Sequence, residues 1–111
     1  MSVNVKVFVP TQVIPTPNGT MYTCPTPAAL LDKISVFNSS DTTVATLNIV
    51  LERSTEPISA NYLVIQKTLQ PGESYLCPEI TGAALQFDDR LVCGSTDANT
   101  LTIRVSGREI T

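Results

Sequence analysis

Apolar and polar residues alternate one for one through short runs that stop at proline, glycine, asparagine or aspartate. No other feature constrains the fold of this chain as strongly. Leu47, Ile49 and Leu51 alternate with Asn48, Val50 and Glu52, and Leu101, Ile103 and Val105 alternate with Thr102, Arg104 and Ser106. Period two places successive side chains on opposite faces, so each run reads as a half-buried strand. Val3, Val5, Val7 and Val9 alternate with Asn4, Lys6 and Phe8, which predicts a first strand from 3 to 9 ending at Pro10. The next stretch, Thr11 to Asn18, carries Pro15 and Pro17 and reads as an extended arm rather than a paired central strand.

Turn signals divide the rest. Asn18-Gly19 opens a short strand from Thr20 to Cys24, and Cys24-Pro25-Thr26-Pro27 closes it. Thr26 to Lys33 is the one helical candidate, and it is read as loop running into a strand from Leu30 to Asn38. Asn38-Ser39-Ser40-Asp41 is a turn, Ser54 to Ala60 is a loop around Pro57, and Tyr62 to Leu69 is a further strand. Two later segments match each other. Leu69-Gln70-Pro71-Gly72-Glu73 and Leu85-Gln86-Phe87-Asp88-Asp89 both set Leu-Gln before a tight turn and an acid after it.

About eight strands with a turn every 8 to 15 residues predict an all-β chain, a single antiparallel β-sandwich or jelly roll. Ile34, Val36, Leu47, Ile49, Leu51, Leu101, Ile103 and Val105 are expected to face one core. The expected division is an N-terminal strand and arm over 1–18 and a sandwich over 19–111.

The chain of 111 residues has room for one domain. Only 15% of its residues are charged, against about 25% in globular domains, so much of its surface is uncharged. A small body with such a skin is suited to covering part of it with neighbours. The seven Lys and Arg are spread singly and the net charge is −3, which argues against nucleic acid. No apolar stretch has the length of a membrane span. The start, Met1-Ser2-Val3-Asn4, has no signal-peptide pattern, so cytoplasmic synthesis is expected.

Histidine and tryptophan are absent, which removes the usual general base and the commonest metal ligand. Lys6, Lys33 or Lys67 would have to activate any nucleophile, and none lies in a Ser-x-x-Lys pattern. Asp88-Asp89 reads as calcium or glycosidase carboxylates, or as a turn whose aspartates cap their own backbone; the turn is preferred. Tyr22-Thr23-Cys24-Pro25 and Tyr75-Leu76-Cys77-Pro78 share Tyr-x-Cys-Pro, either a redox pair or two strand ends of similar shape. With Cys93 the count is odd, and all three thiols are expected to be reduced and dispensable. No catalytic, metal or cofactor residues are assigned, and no enzyme activity is expected.

The functional lead is the amino-terminal stretch, with Val3, Val5, Val7, Phe8, Val9, Val13 and Ile14 as candidate interface residues. It reads either as the ordinary first strand of the sandwich or as an arm that adds a strand to a neighbour's open edge. Pro10, Pro15 and Pro17 would stiffen such an arm.

In order, Tyr22-Thr23-Cys24-Pro25, Ile34-Ser35-Val36-Phe37-Asn38-Ser39-Ser40, Leu69-Gln70-Pro71-Gly72-Glu73-Ser74-Tyr75 and Asp88-Asp89-Arg90-Leu91 resemble small virion β-sandwich proteins of tailed bacteriophages. The likeness covers roughly residues 20 to 107 and rests on turn grammar; Asp88 stands where such modules often have glycine. It implies a structural protein on the phage particle, a decoration or cement protein that binds the major capsid protein and itself as a dimer or trimer. The alternative is a tail- or head-fibre module that recognises a host glycan or receptor.

Overall fold

The computed structural model describes residues 2–53 and 64–111, so the expected loop at 54–60 and the first two residues of the strand expected at 62–69 lie outside it. Nine strands form, all antiparallel, with no helix among the described residues: β1 (Val3–Val13), β2 (Gly19–Thr23), β3 (Ala28–Asn38), β4 (Ala45–Glu52), β5 (Ile65–Leu69), β6 (Ser74–Tyr75), β7 (Ala84–Gln86), β8 (Arg90–Ser95) and β9 (Leu101–Ile110). They make two sheets, ordered β1-β9-β3-β6 with β7 also on β3, and β2-β8-β4-β5.

The expectation of about eight strands and the observed nine describe one architecture. β6 pairs with Val36 and Phe37 of β3, whereas β7 pairs with Ala28 to Leu30 at its other end. They are two pieces of one strand position, interrupted by a loop that drops Cys77 and Ile80 into the core. Counted so, each sheet has four positions and the order is that of a jelly roll.

The matching Leu-Gln segments are corners of this sandwich. The first carries the chain from β5 in the second sheet to β6 in the first, and the other carries it back from β7 to β8. Both close identically. Glu73 N–H donates to Gln70 O at 3.0 Å while the Glu73 carboxylate accepts from Gln70 N–H at 2.8 Å. Asp89 and Gln86 repeat the pair at 3.0 and 2.9 Å. The residue before each acid is left-handed, Gly72 at φ 80° and Asp88 at φ 70°, as a type II turn requires. Asp88 thus holds the geometry that glycine would supply, and Asp88-Asp89 is a turn, as preferred from the sequence.

Of the eight predicted core residues, seven are buried and Leu51 is half-buried against the same core. The first strand departs from simple alternation. A bulge between Val7 and Val9 shifts its register on β9, so Val3, Val5 and Val7 face outward while Phe8 and Val9 both turn inward. Phe8 stacks on Tyr22 of the opposite sheet at 4.2 Å between ring centroids. Gly107 of β9 makes the space, since a Cβ there would lie 2.7 Å from the Phe8 ring and collide with the Leu30 carbonyl.

Two boundaries differ from expectation. β3 starts at Ala28 because β7 and β9 bond to both sides of Ala28 to Leu30, whereas a single helical turn is only marginal alone. β1 runs on to Val13 and pairs with β9 of its own chain, and Phe8, Val9 and Ile14 sit in the core. Residues 3–14 are therefore built into the sandwich here. Asn38, wholly buried at the end of β3, donates to Thr43 O and Leu69 O and accepts from Ser40 N–H, which ties the β3–β4 loop to the end of β5.

Candidate functional site

Inner faces of both sheets are consumed by the core, so anything the molecule offers to a partner lies on its outer faces, edges or loops. The register places Val3, Val5 and Val7 opposite Ile110, Arg108 and Ser106, and Val13 opposite Thr102, all on the outer face of the first sheet. Phe37 pairs with Thr102 on that face and with Ser74 of β6, and Leu76 follows β6 beside them. Val5 is 83% exposed, Leu76 60% and Phe37 44%. Six of the nine exposed large apolar side chains among the described residues therefore share one face; Val44, Val64 and Phe87 lie elsewhere, outside the strands.

Part of this face is concave. An open groove of about 320 Å³ runs over Thr11, Ser35, Phe37, Leu76, Thr102 and Arg104. Short polar side chains and the apolar Phe37 and Leu76 both line it. Arg104 supplies a cation there, while Arg108 on the same sheet is held by Asp32 in a two-pronged pair at 2.9 and 3.0 Å. The face thus carries exposed apolar side chains with fixed charge beside them.

The structure divides the seven candidate interface residues. Val3, Val5, Val7 and Val13 are exposed and available; Phe8, Val9 and Ile14 are buried and hold the fold. Phe37 and Leu76 were not singled out in the sequence. The signal for Phe37 was present, an aromatic out of phase with buried Ile34 and Val36, but Leu76 follows a strand too short to show a period.

Other chemical groups are accounted for structurally. Buried Glu109 accepts the Tyr22 hydroxyl at 2.5 Å and faces Lys6 Nζ at 3.5 Å, an arrangement that ties β1, β2 and β9 at one end. Burial and the adjacent Glu109 carboxylate push the Tyr22 hydroxyl far above its ordinary range. Cys24, Cys77 and Cys93 are free and buried. The two Tyr-x-Cys-Pro cysteines are not bonded to each other, and burial pushes the Cys77 and Cys93 thiols up to about 12, which keeps them protonated. Among the described residues no group of three acidic, cysteine or histidine side chains converges on a metal position, and no helix is long and apolar enough to cross a membrane.

No protein-family model matches the chain, and no curated protein matches it. Among solved structures it is similar to a chain in a structure of infectious bursal disease virus, Gt strain, at 11% identity and a TM-score of 0.40. The alignment covers 96% of this chain and 32% of that one, so this chain spans about a third of the other's length.

Proposed function

We propose that this chain is a non-catalytic structural protein of a tailed-phage particle that decorates the outer shell by docking on major capsid subunits. The observation that carries the reading is that Phe37 and Leu76 line one groove of the first sheet, on the outer face that also exposes Val3, Val5, Val7 and Val13. The corner turns at Gln70–Glu73 and Gln86–Asp89, which carry the likeness to phage virion sandwiches, support it in addition. A flat sheet with an apolar groove suits a repeating protein surface, where the same contact is made many times. Many copies on a lattice compensate for modest affinity at each site.

Re-binding to particles that lack the protein tests this directly. The purified chain is expected to sediment with such particles, and Phe37→Ser with Leu76→Ser is expected to weaken retention by more than about tenfold, since burying each side chain is worth roughly 1.5–3 kcal/mol. Thr68→Ser on the second sheet is the control and is expected to bind normally. Equal retention of the double variant would remove the groove from the reading. Failure of the unaltered chain to bind particles would reject decoration and leave host-glycan recognition, testable on immobilised glycans.

A further inference from the structure

β1 lies at the end of the first sheet, and among the described residues no strand pairs with its outer edge. It is 11 residues long, whereas the other strands that end a sheet, β2, β5, β6 and β7, have 5, 5, 2 and 3. Short edge strands are a common defence against edge-to-edge pairing, and β1 does not use it. Its second half is protected by other means, with register shifts between Val7 and Val9 and between Val9 and Gln12, and Pro10 between them. Val3 to Val7 has neither: its register against Ile110 to Ser106 is unbroken.

The backbone groups that this segment offers can be assigned. Ser2 N–H donates to Thr111 O at 3.2 Å and Thr111 N–H donates to Ser2 O at 2.9 Å, so these residues form a mutually bonded pair. Antiparallel pairs alternate between bonded and non-bonded, which makes Asn4–Glu109 and Lys6–Gly107 the next bonded pairs. Val3, Val5 and Val7 therefore aim their N–H and C=O groups away from β9, along the open edge, while their side chains stand on the outer face.

We propose that two copies of this chain join through this edge, antiparallel, with a two-fold axis at Val5, so that their first sheets run on as one. Val5 bonds to Val5 of the partner subunit, and Val3 bonds to Val7 of the partner subunit. Both of these pairs exchange backbone groups that point outward in the single chain. The outer face gains an unbroken row of valines across the junction. Lys6 meets Asn4 of the partner subunit, and its charge is already opposed by Glu109 of its own chain. Neighbouring registers are worse. A slip one way sets Lys6 against Lys6, and the opposite slip leaves Val7 with no partner within β1. A two-fold contact must be self-complementary, and Val3–Val7 meets that condition at one register. The pairing requires no particle, so it stands or falls separately from decoration.

Sedimentation of the full chain across a wide concentration range tests it, with Val5→Lys, Val5→Asp and Val5→Pro as variants. The full chain is expected to dimerise. Val5→Lys and Val5→Asp each set like charges against each other at the axis and are expected to be monomeric, with the dissociation constant raised more than about hundredfold. Mixing the two is expected to restore a dimer containing one of each. Val5→Pro removes an outward N–H but none of the bonds to β9, so it is expected to be monomeric with unchanged circular dichroism. Should it unfold instead, the charge-swapped pair still decides. The proposal is overturned if the full chain stays monomeric, if all variants dimerise like the parent, or if the mixture fails to recover a dimer.

Discussion

The two outer faces of this sandwich are built on equal terms and finished differently. On the second sheet, Thr46 and Thr68 share a hydrogen bond at 3.1 Å and Glu52 pairs with Arg90, beside Asn48 and Gln66. Val50 and Val92 oppose each other there, and both are half-buried. On the first sheet, the outward positions of β1 are Val3, Val5, Val7 and Val13, and Phe37 and Leu76 line the groove. The inner faces offer no such contrast, because both feed one core. Folding constrains the inside of both sheets alike, so a difference confined to the outside is what the docking proposed above would require.

Several changes break or sharpen that contrast. Removing residues 1–14 has the largest expected effect: it takes Phe8, Val9 and Ile14 from the core and bares β9, so cooperative unfolding by circular dichroism should disappear. A truncated chain that melted normally would show that β1 is appended to the first face rather than part of it. Ile49→Ala in β4 and Ile103→Ala in β9 should each cost about 2–5 kcal/mol in chemical denaturation. Similar losses would confirm that the sheets are equal partners inside; a much cheaper Ile103→Ala would mean that the first sheet is built for its outer face at the expense of the core.

Alkali probes the buried thiols on both sides of the core. Cys77 and Cys93 hold their protons up to about 12 when folded, against about 9 for a free thiol. The unfolded chain therefore loses protons first as the pH rises. Stability should be unaffected below about pH 9 and should fall from there toward pH 12, read as a declining urea midpoint. Cys93→Ala should make the fall shallower. Smaller still are the corners between the sheets. Gly72→Ala should cost about 1–2 kcal/mol by forcing a Cβ into the left-handed region, whereas Asp88→Gly should stabilise by up to about 1 kcal/mol. Thermal melts of the two variants would show whether the corners are interchangeable.

Where one face of a strand is dry and the other wet, the residues said so. Leu47–Leu51 and Leu101–Val105 are legible because a slip of one residue would invert every side chain. Phe8 and Val9 were not legible, since a bulge breaks the period and the glycine that leaves room for the Phe8 ring, Gly107, lies about a hundred residues away in the chain. The start of β3 was hidden by Ala28-Ala29-Leu30-Leu31, which favours helix locally and becomes strand only when β7 and β9 flank it. Of the seven candidate interface residues, four are exposed and three buried, because alternation reports two faces and does not say which is inside. That β1 forms an edge depends on strand order, which no local pattern carries.

The position of β9 also sets the order in which the molecule can be made. It is the last of the described strands, yet it lies between β1 and β3 and, among the described residues, is what joins them in the first sheet. A ribosome emits β1 first, and until the final strand emerges that segment has no partner in its own sheet. Joining them closes a loop of nearly the whole chain, and such non-local pairing is intrinsically slow. Throughout synthesis, Val3 to Val7 therefore has two open edges rather than one. Deleting β9 as a whole would divide the first sheet, whereas every pairing within β2-β8-β4-β5 would remain.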